Sequence, residues 1–161
     1  MLGEWHKEAE RALVRRDFRL AHALCLKILS VEPRHAEAWF LLGMVAAEHG
    51  NFTKALELID RALGAAPDSA EYHAQRARCL ISLHRPREAF EAAQRAEQAA
   101  NPSALTLDTI GVVMTRAGAH AEAIAPFRRA VARDASKPQY HYNLGAALQF
   151  ADGYSDYGEN W

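Results

Sequence analysis

The sequence predicts an all-α fold, a stack of antiparallel helix pairs, and three observations predict it. Ala21, Ala55, Ala89 and Ala123 stand 34 residues apart. Ala62, Ala96 and Ala130 repeat that interval, as do Gly111 and Gly145, and Gly43 lies two intervals before Gly111. Inside one interval, apolar residues twice recur at the i, i+3, i+4, i+7 spacing of a helix face, with turn residues between the two runs.

The clearest unit is residues 36–69, AEAWFLLGMVAAEHGNFTKALELIDRALGAAPDS. A first helix is expected over 36–49, with Trp39, Leu42, Gly43 and Ala46 on one face. Gly50 and Asn51 stop it, and Asn51 is placed to cap a second helix whose face is Ala55, Ile59, Ala62 and Leu63; Pro67 ends the unit. Gly43 and Ala55 lack bulk where the paired helices must cross closely, and a larger side chain there would wedge the pair open. Four such units begin near residues 2, 36, 70 and 104, a lone helix follows over 138–151, and 152–161 is a tail, so the expected organisation is one repeat domain over 1–151.

The units are unequal. The first keeps Trp5, Ala21 and Pro33 but has Glu8 and Ala9 where the second has Leu42 and Gly43, as suits a terminal cap that meets water on one side. The third carries Arg76 at a position that is usually apolar, so its hairpin is expected to be the loosest. Pro86 fits the first turn of that unit's second helix, where its missing N–H costs nothing. Pro126 stands about two turns into the next such helix and predicts a kink or a late helix start. Tyr154, Tyr157 and Trp161 make the tail aromatic; it either packs into a groove or has no role.

In order and spacing, Trp39, Leu42, Gly43, Ala55, Ala62 and Pro67 resemble the signature of the tetratricopeptide repeat (TPR). The resemblance implies a right-handed superhelical solenoid of about four and a half repeats, whose first helices line a concave wall that holds a protein or peptide and carries no catalysis. The fourth unit and the lone helix also resemble the TPR segments that precede a sulfotransferase domain in some bacterial proteins. That likeness implies an alternative, the N-terminal region of a larger enzyme, non-catalytic by itself. One TPR class grips a chaperone's C-terminal carboxylate with Lys, Asn and Arg; its early positions fall here on His6 and Glu10, or on Phe40 and Met44, which disfavour a carboxylate.

On the expected wall the partner-binding candidates are Phe40, Met44, Arg78, Ile81, Asp108, Val112, Arg116 and Tyr142, within a face that also holds His6, Glu10, Glu37 and Glu71. Phe40, Met44, Ile81 and Val112 read either as an open apolar stripe or as packing between neighbouring repeats. Arg78 and Arg116 suit carboxylates or backbone carbonyls of a ligand. The lone helix leaves Tyr142, Leu144, Leu148 and Phe150 to be covered, which allows self-association through that end.

Composition narrows the other classes. With 19 Lys+Arg against 20 Asp+Glu there is no basic field, so neither nucleic acid nor a membrane is an expected partner. No segment reads as a signal peptide or a membrane span, and two distant cysteines fit a reducing compartment, so a cytoplasmic location is expected. The eight histidines include no pair three or four apart, so no metal site borne by a histidine pair on one helix is expected; the glycines form no phosphate-binding loop, so no cofactor is expected either. His73 and His141 take the packed position of Trp39 and read as polar fillers. Cys25 and Cys79 read as structural, with Arg76 and Arg78 able to lower the Cys79 pKa.

Overall fold

Alternation of two amphipathic helix types generates the architecture. A computed structural model describes residues 1–158, with side chains described through residue 152. Among these residues there are helices α1 (Leu2–Val14), α2 (Phe18–Val31), α3 (Ala36–Glu48), α4 (Phe52–Ala65), α5 (Ala70–Ser82), α6 (Pro86–Gln98), α7 (Ala104–Arg116), α8 (His120–Arg133) and α9 (Pro138–Gly158), and no strand. Each odd helix from α1 to α7 pairs with the even helix after it. Each even helix also packs on the next odd one, and α1 touches α3, α5 touches α7 and α7 touches α9, so the odd helices form one layer of a solenoid.

The turn inside each hairpin is built the same way four times. Arg16, Gly50, His84 and Gly118, spaced by one repeat, all have positive φ, at 63°, 74°, 59° and 87°. This left-handed residue lets the following N–H reach back five residues: Asp17 to Ala12, Asn51 to Ala46, Arg85 to Leu80 and Ala119 to Met114, at 2.8–3.0 Å. Glycine takes the conformation freely, whereas Arg16 and His84 take it at a cost. Side-chain caps then start most helices. Asp17 accepts from the Leu20 N–H and Asn51 from the Lys54 N–H, while Ser69 and Ser103 accept from Tyr72 and Thr106. Pro86 does stand at the first position of α6.

Between repeats a different device recurs. The Trp39 Nε1–H donates to the Pro33 carbonyl at 2.9 Å, the His73 Nε2–H to Pro67 at 2.7 Å, and the His141 Nε2–H to Ala135 at 2.8 Å. In each case a ring at the fourth position of an odd helix ties down the loop six residues earlier. The two histidines are therefore fillers with a bond to make.

Core packing follows the small residues. Ala21, Ala55, Ala89 and Ala123, and likewise Ala62, Ala96 and Ala130, are wholly buried. A Cβ built on Gly43 would stand 3.0 Å from Ile59 Cγ1 and 3.4 Å from the Ala55 carbonyl oxygen, and one built on Gly111 would stand 2.4 Å from Phe127 Cε1. Three expectations need correction. The third hairpin is not loose: Ala77, Ala89, Ala93 and Ala96 close it completely, while Arg76 turns outward to Asp60 at 2.7 Å. Of the two outcomes expected of Pro126, the late start is not found: α8 starts at His120 and runs through it, with Pro126 fully buried. The last helix does not stop at 151 but continues to Gly158; the side chains of Tyr154, Tyr157 and Trp161 lie outside the described residues.

Candidate functional site

Residues expected to share one open wall fall into two hollows and a buried seam. Phe40 and Ile81 are each only 7% exposed and so belong to the seam. Phe40 stacks on Tyr72 with ring centroids 4.4 Å apart, and Ile81 packs in the cluster with Leu80, Ile110 and Met114. Met44 is half-buried beside the Phe40 cluster. The open apolar stripe is thus largely packing between repeats. A helix in a solenoid has two neighbours, and the residues facing the second one occupy the flank that a single-hairpin view leaves open.

Asp108 is also buried. Its carboxylate accepts from the Asn143 Nδ2–H of α9 at 2.9 Å; burial raises its pKa, and that hydrogen bond only partly offsets the rise. It joins α7 to α9. Arg78 is half-buried and makes no ion pair among the described residues.

Val112, Arg116 and Tyr142 remain accessible. Val112 and Arg116 border a hollow of about 330 Å³ between α7, α8 and α9, shared with Thr115, His120, Phe127, Asn143, Ala147 and Phe150. His120 stacks on Phe150 at 3.8 Å between centroids and so forms one side of it. Tyr142 stands beside this region, 72% exposed. His120 and Phe127 were not among the sequence candidates because they come from the even helix α8, whereas the expected wall is lined by first helices.

The second hollow, about 130 Å³, is lined by His6, Glu10, Glu37, Phe40, Leu41, Glu71 and Tyr72. Three odd helices, α1, α3 and α5, supply these residues. Glu71 has its pKa raised by burial, then by the charges of Glu10 and Glu37, and the Tyr72 hydroxyl is pushed up chiefly by burial as well. A signal was present in the sequence: Glu37 and Glu71 are one repeat apart, and His6 and Glu10 share a face of α1.

Both cysteines are buried and free, each with its pKa raised to about 11 by burial; Arg78 opposes the rise at Cys79 without reversing it. The thiols are structural, and the lowered pKa considered for Cys79 is not found. No helix among the described residues is long and apolar enough to cross a membrane.

Against known proteins, the tetratricopeptide-repeat family model matches residues 6–70 and 44–104, well over half of the chain. The chain belongs to the tetratricopeptide-repeat family. Among solved structures it is similar to MamA (TM-score 0.70, 20% identity, 89% of this chain and 84% of that one) and to pilF of Pseudomonas aeruginosa (0.82, 18%, 96% and 70%). It is likewise similar to YrrB, described as a TPR protein with an unusual peptide-binding site (0.65, 20%, 92% and 76%). No curated protein matches the sequence. At these identities the likenesses concern the TPR fold, and they lend no support to the sulfotransferase-linked alternative.

Proposed function

We propose that this TPR chain is a non-catalytic scaffold that grips a peptide or protein segment against its layer of odd helices, with the α7–α9 hollow as the anchor point. The observation that carries the reading is the hollow itself. Its floor and sides are mostly apolar, contributed by Val112, Phe127, Ala146, Ala147 and Phe150, while Arg116 stands at the edge with a guanidinium suited to carboxylates or backbone carbonyls. That is the composition of a pocket for one apolar side chain of an extended or helical ligand. Val112, Arg116 and Tyr142 contact the ligand in this reading; Arg78 and Met44 border its path, and Phe40, Ile81 and Asp108 hold the helices that present them. Family membership supports a binding role, and the peptide-binding site described for YrrB supports a peptide as the bound class.

Affinity capture with the chain, followed by competition with peptides from the retained protein, tests this. Val112→Glu and Arg116→Glu alter accessible side chains, so helicity by circular dichroism stays at the parent level while peptide affinity falls by at least tenfold, equivalent to about 1.4 kcal/mol. Phe40→Glu is not a usable test, because it buries a charge under Tyr72. Unchanged affinity in both variants removes the hollow as the anchor.

A further inference from the structure

We propose that His6, Glu10 and Glu37 form a binding site for a divalent first-row transition-metal ion at the junction of the first two hairpins. His6 and Glu10 are one helical turn apart on α1, and Glu37 comes from the first turn of α3. One ligand atom from each, the His6 ring nitrogen and a carboxylate oxygen of each glutamate, lies within 4.8 Å of the other two. Donors around an ion bound at roughly 2.1 Å stand about 3–3.5 Å apart. The glutamate side chains are 55% and 51% exposed, so small rotations bring them to that spacing.

A histidine clasped between two acids by hydrogen bonds alone is the simpler reading, and its geometry does not fit. His6 Nε2 lies 3.1 Å from Glu10 Oε1 and closer still to Glu37 Oε2, yet neither oxygen is aligned to make a hydrogen bond, and the buried nitrogen has no hydrogen-bond partner. His35 packs edge-on against the ring at 5.7 Å and limits how it can turn, while His35 Nδ1 is itself engaged, accepting from the Ala38 N–H. A ring nitrogen set between two carboxylate oxygens at these separations, with no hydrogen bond made to either, is an arrangement that a metal ion completes.

Charge argues in the same direction. Glu71 lines the same hollow, and none of Glu10, Glu37 and Glu71 is paired with a lysine or arginine among the described residues. Three carboxylates are thus gathered with one imidazole and no fixed cation. Neutral imidazole with carboxylates selects Zn²⁺, Mn²⁺, Fe²⁺, Co²⁺ or Ni²⁺ over Mg²⁺ and Ca²⁺, which favour all-oxygen shells. The buried, protonated thiols of Cys25 and Cys79 offer no rival site. An ion here ties α1 to α3 and so fixes the first repeat on the second.

Titration of the chelator-stripped chain with zinc chloride by calorimetry, and with Co²⁺ by visible absorption, tests the proposal. One Zn²⁺ per chain is expected, with a rise in melting temperature and Co²⁺ d–d bands characteristic of nitrogen and oxygen ligands. His6→Ala and Glu37→Gln each weaken Zn²⁺ binding by more than about 10-fold and abolish the Co²⁺ bands. His22→Ala, an exposed histidine on α2, leaves both signals unchanged. If His6→Ala loses helicity, the double variant Glu10→Gln/Glu37→Gln, altered only at half-exposed side chains, decides instead. No binding up to about 1 mM Zn²⁺, or binding that these variants leave intact, overturns the site.

Discussion

Replacing the repeat-aligned glycines Gly43, Gly111 and Gly145 by alanine should produce three outcomes from one substitution. In an isolated helix each change favours folding by about 1 kcal/mol. What differs is the space waiting for the new methyl. On Gly145 it meets nothing within 4 Å, so the full gain remains, and on Gly43 it meets Ile59 Cγ1 at 3.0 Å, which absorbs most of the gain. On Gly111 it would stand at 2.4, 2.6 and 2.7 Å from three carbons of the Phe127 ring, about 1 Å inside normal contact. Phe127 is 3% exposed and packed against α7, so its ring must repack towards the hollow it lines or shift α8 to make room. Overpacking of this kind costs about 1–3 kcal/mol. Net changes of roughly +1, 0 and −1 to −2 kcal/mol are therefore expected for positions 145, 43 and 111. For a chain of this length the melting temperature rises by about 2–4 °C for Gly145→Ala and falls by about 3–6 °C for Gly111→Ala. Thermal melts followed at 222 nm measure the series, and a Gly111→Ala/Phe127→Leu cycle tests the cause, since the smaller residue should relieve the clash and give a coupling of 0.5 kcal/mol or more. Gly111→Ala melting at or above the parent refutes the close approach of α7 and α8 on which the packing argument rests.

Other perturbations probe the turns, the charges and the loops. His84→Gly should stabilise the third hairpin by about 1 kcal/mol and Gly118→Ala should destabilise the fourth by a similar amount, because both sites hold positive φ; urea unfolding midpoints check the opposite signs. Burial and the charges of Glu10 and Glu37 raise the pKa of Glu71, so its ionised form works against folding at neutral pH and the penalty fades as pH falls through the raised value. Glu71→Gln, with chelator present, should accordingly melt above the parent at pH 7.5 and match it below pH 4.5, the ordinary value; a difference independent of pH contradicts that origin. His73→Leu keeps the ring position filled but loses the bond to Pro67, which should cost about 1 kcal/mol and speed amide exchange in the 66–69 loop; exchange at the parental rate counts against the tie.

Much of the fold was legible because helix crossings leave a mark in composition. Alanine at 21, 55, 89 and 123 and glycine at 43 and 111 stand where backbones nearly touch, and the sequence repeats them at the period of the structure. Asn51 and Pro86 announced helix starts through chemistry local to the chain. Pro126 suggested a late helix start because local chemistry weighs the lost hydrogen bond and not the burial of its ring. The turns were half legible: Gly50 and Gly118 advertise positive φ, while Arg16 and His84 adopt it because their repeat neighbours impose it. Site residues were harder. The periodicity identifies the face turned to the hairpin partner, but Phe40 and Ile81 face the next hairpin, a surface that exists only after stacking. The His6, Glu10 and Glu37 cluster joins two repeats, and spacing within one helix carries only its His6 and Glu10 half.

The ring that clasps each inter-repeat loop shows how such an array tolerates divergence. Trp39, His73 and His141 look unrelated when compared letter by letter, yet each delivers an N–H to a carbonyl six positions upstream. Selection can drift between indole and imidazole without moving the backbone, provided the donor survives. Leu107, at the equivalent place in the fourth repeat, has none and is wholly buried instead, so the joint ahead of it closes without that clasp.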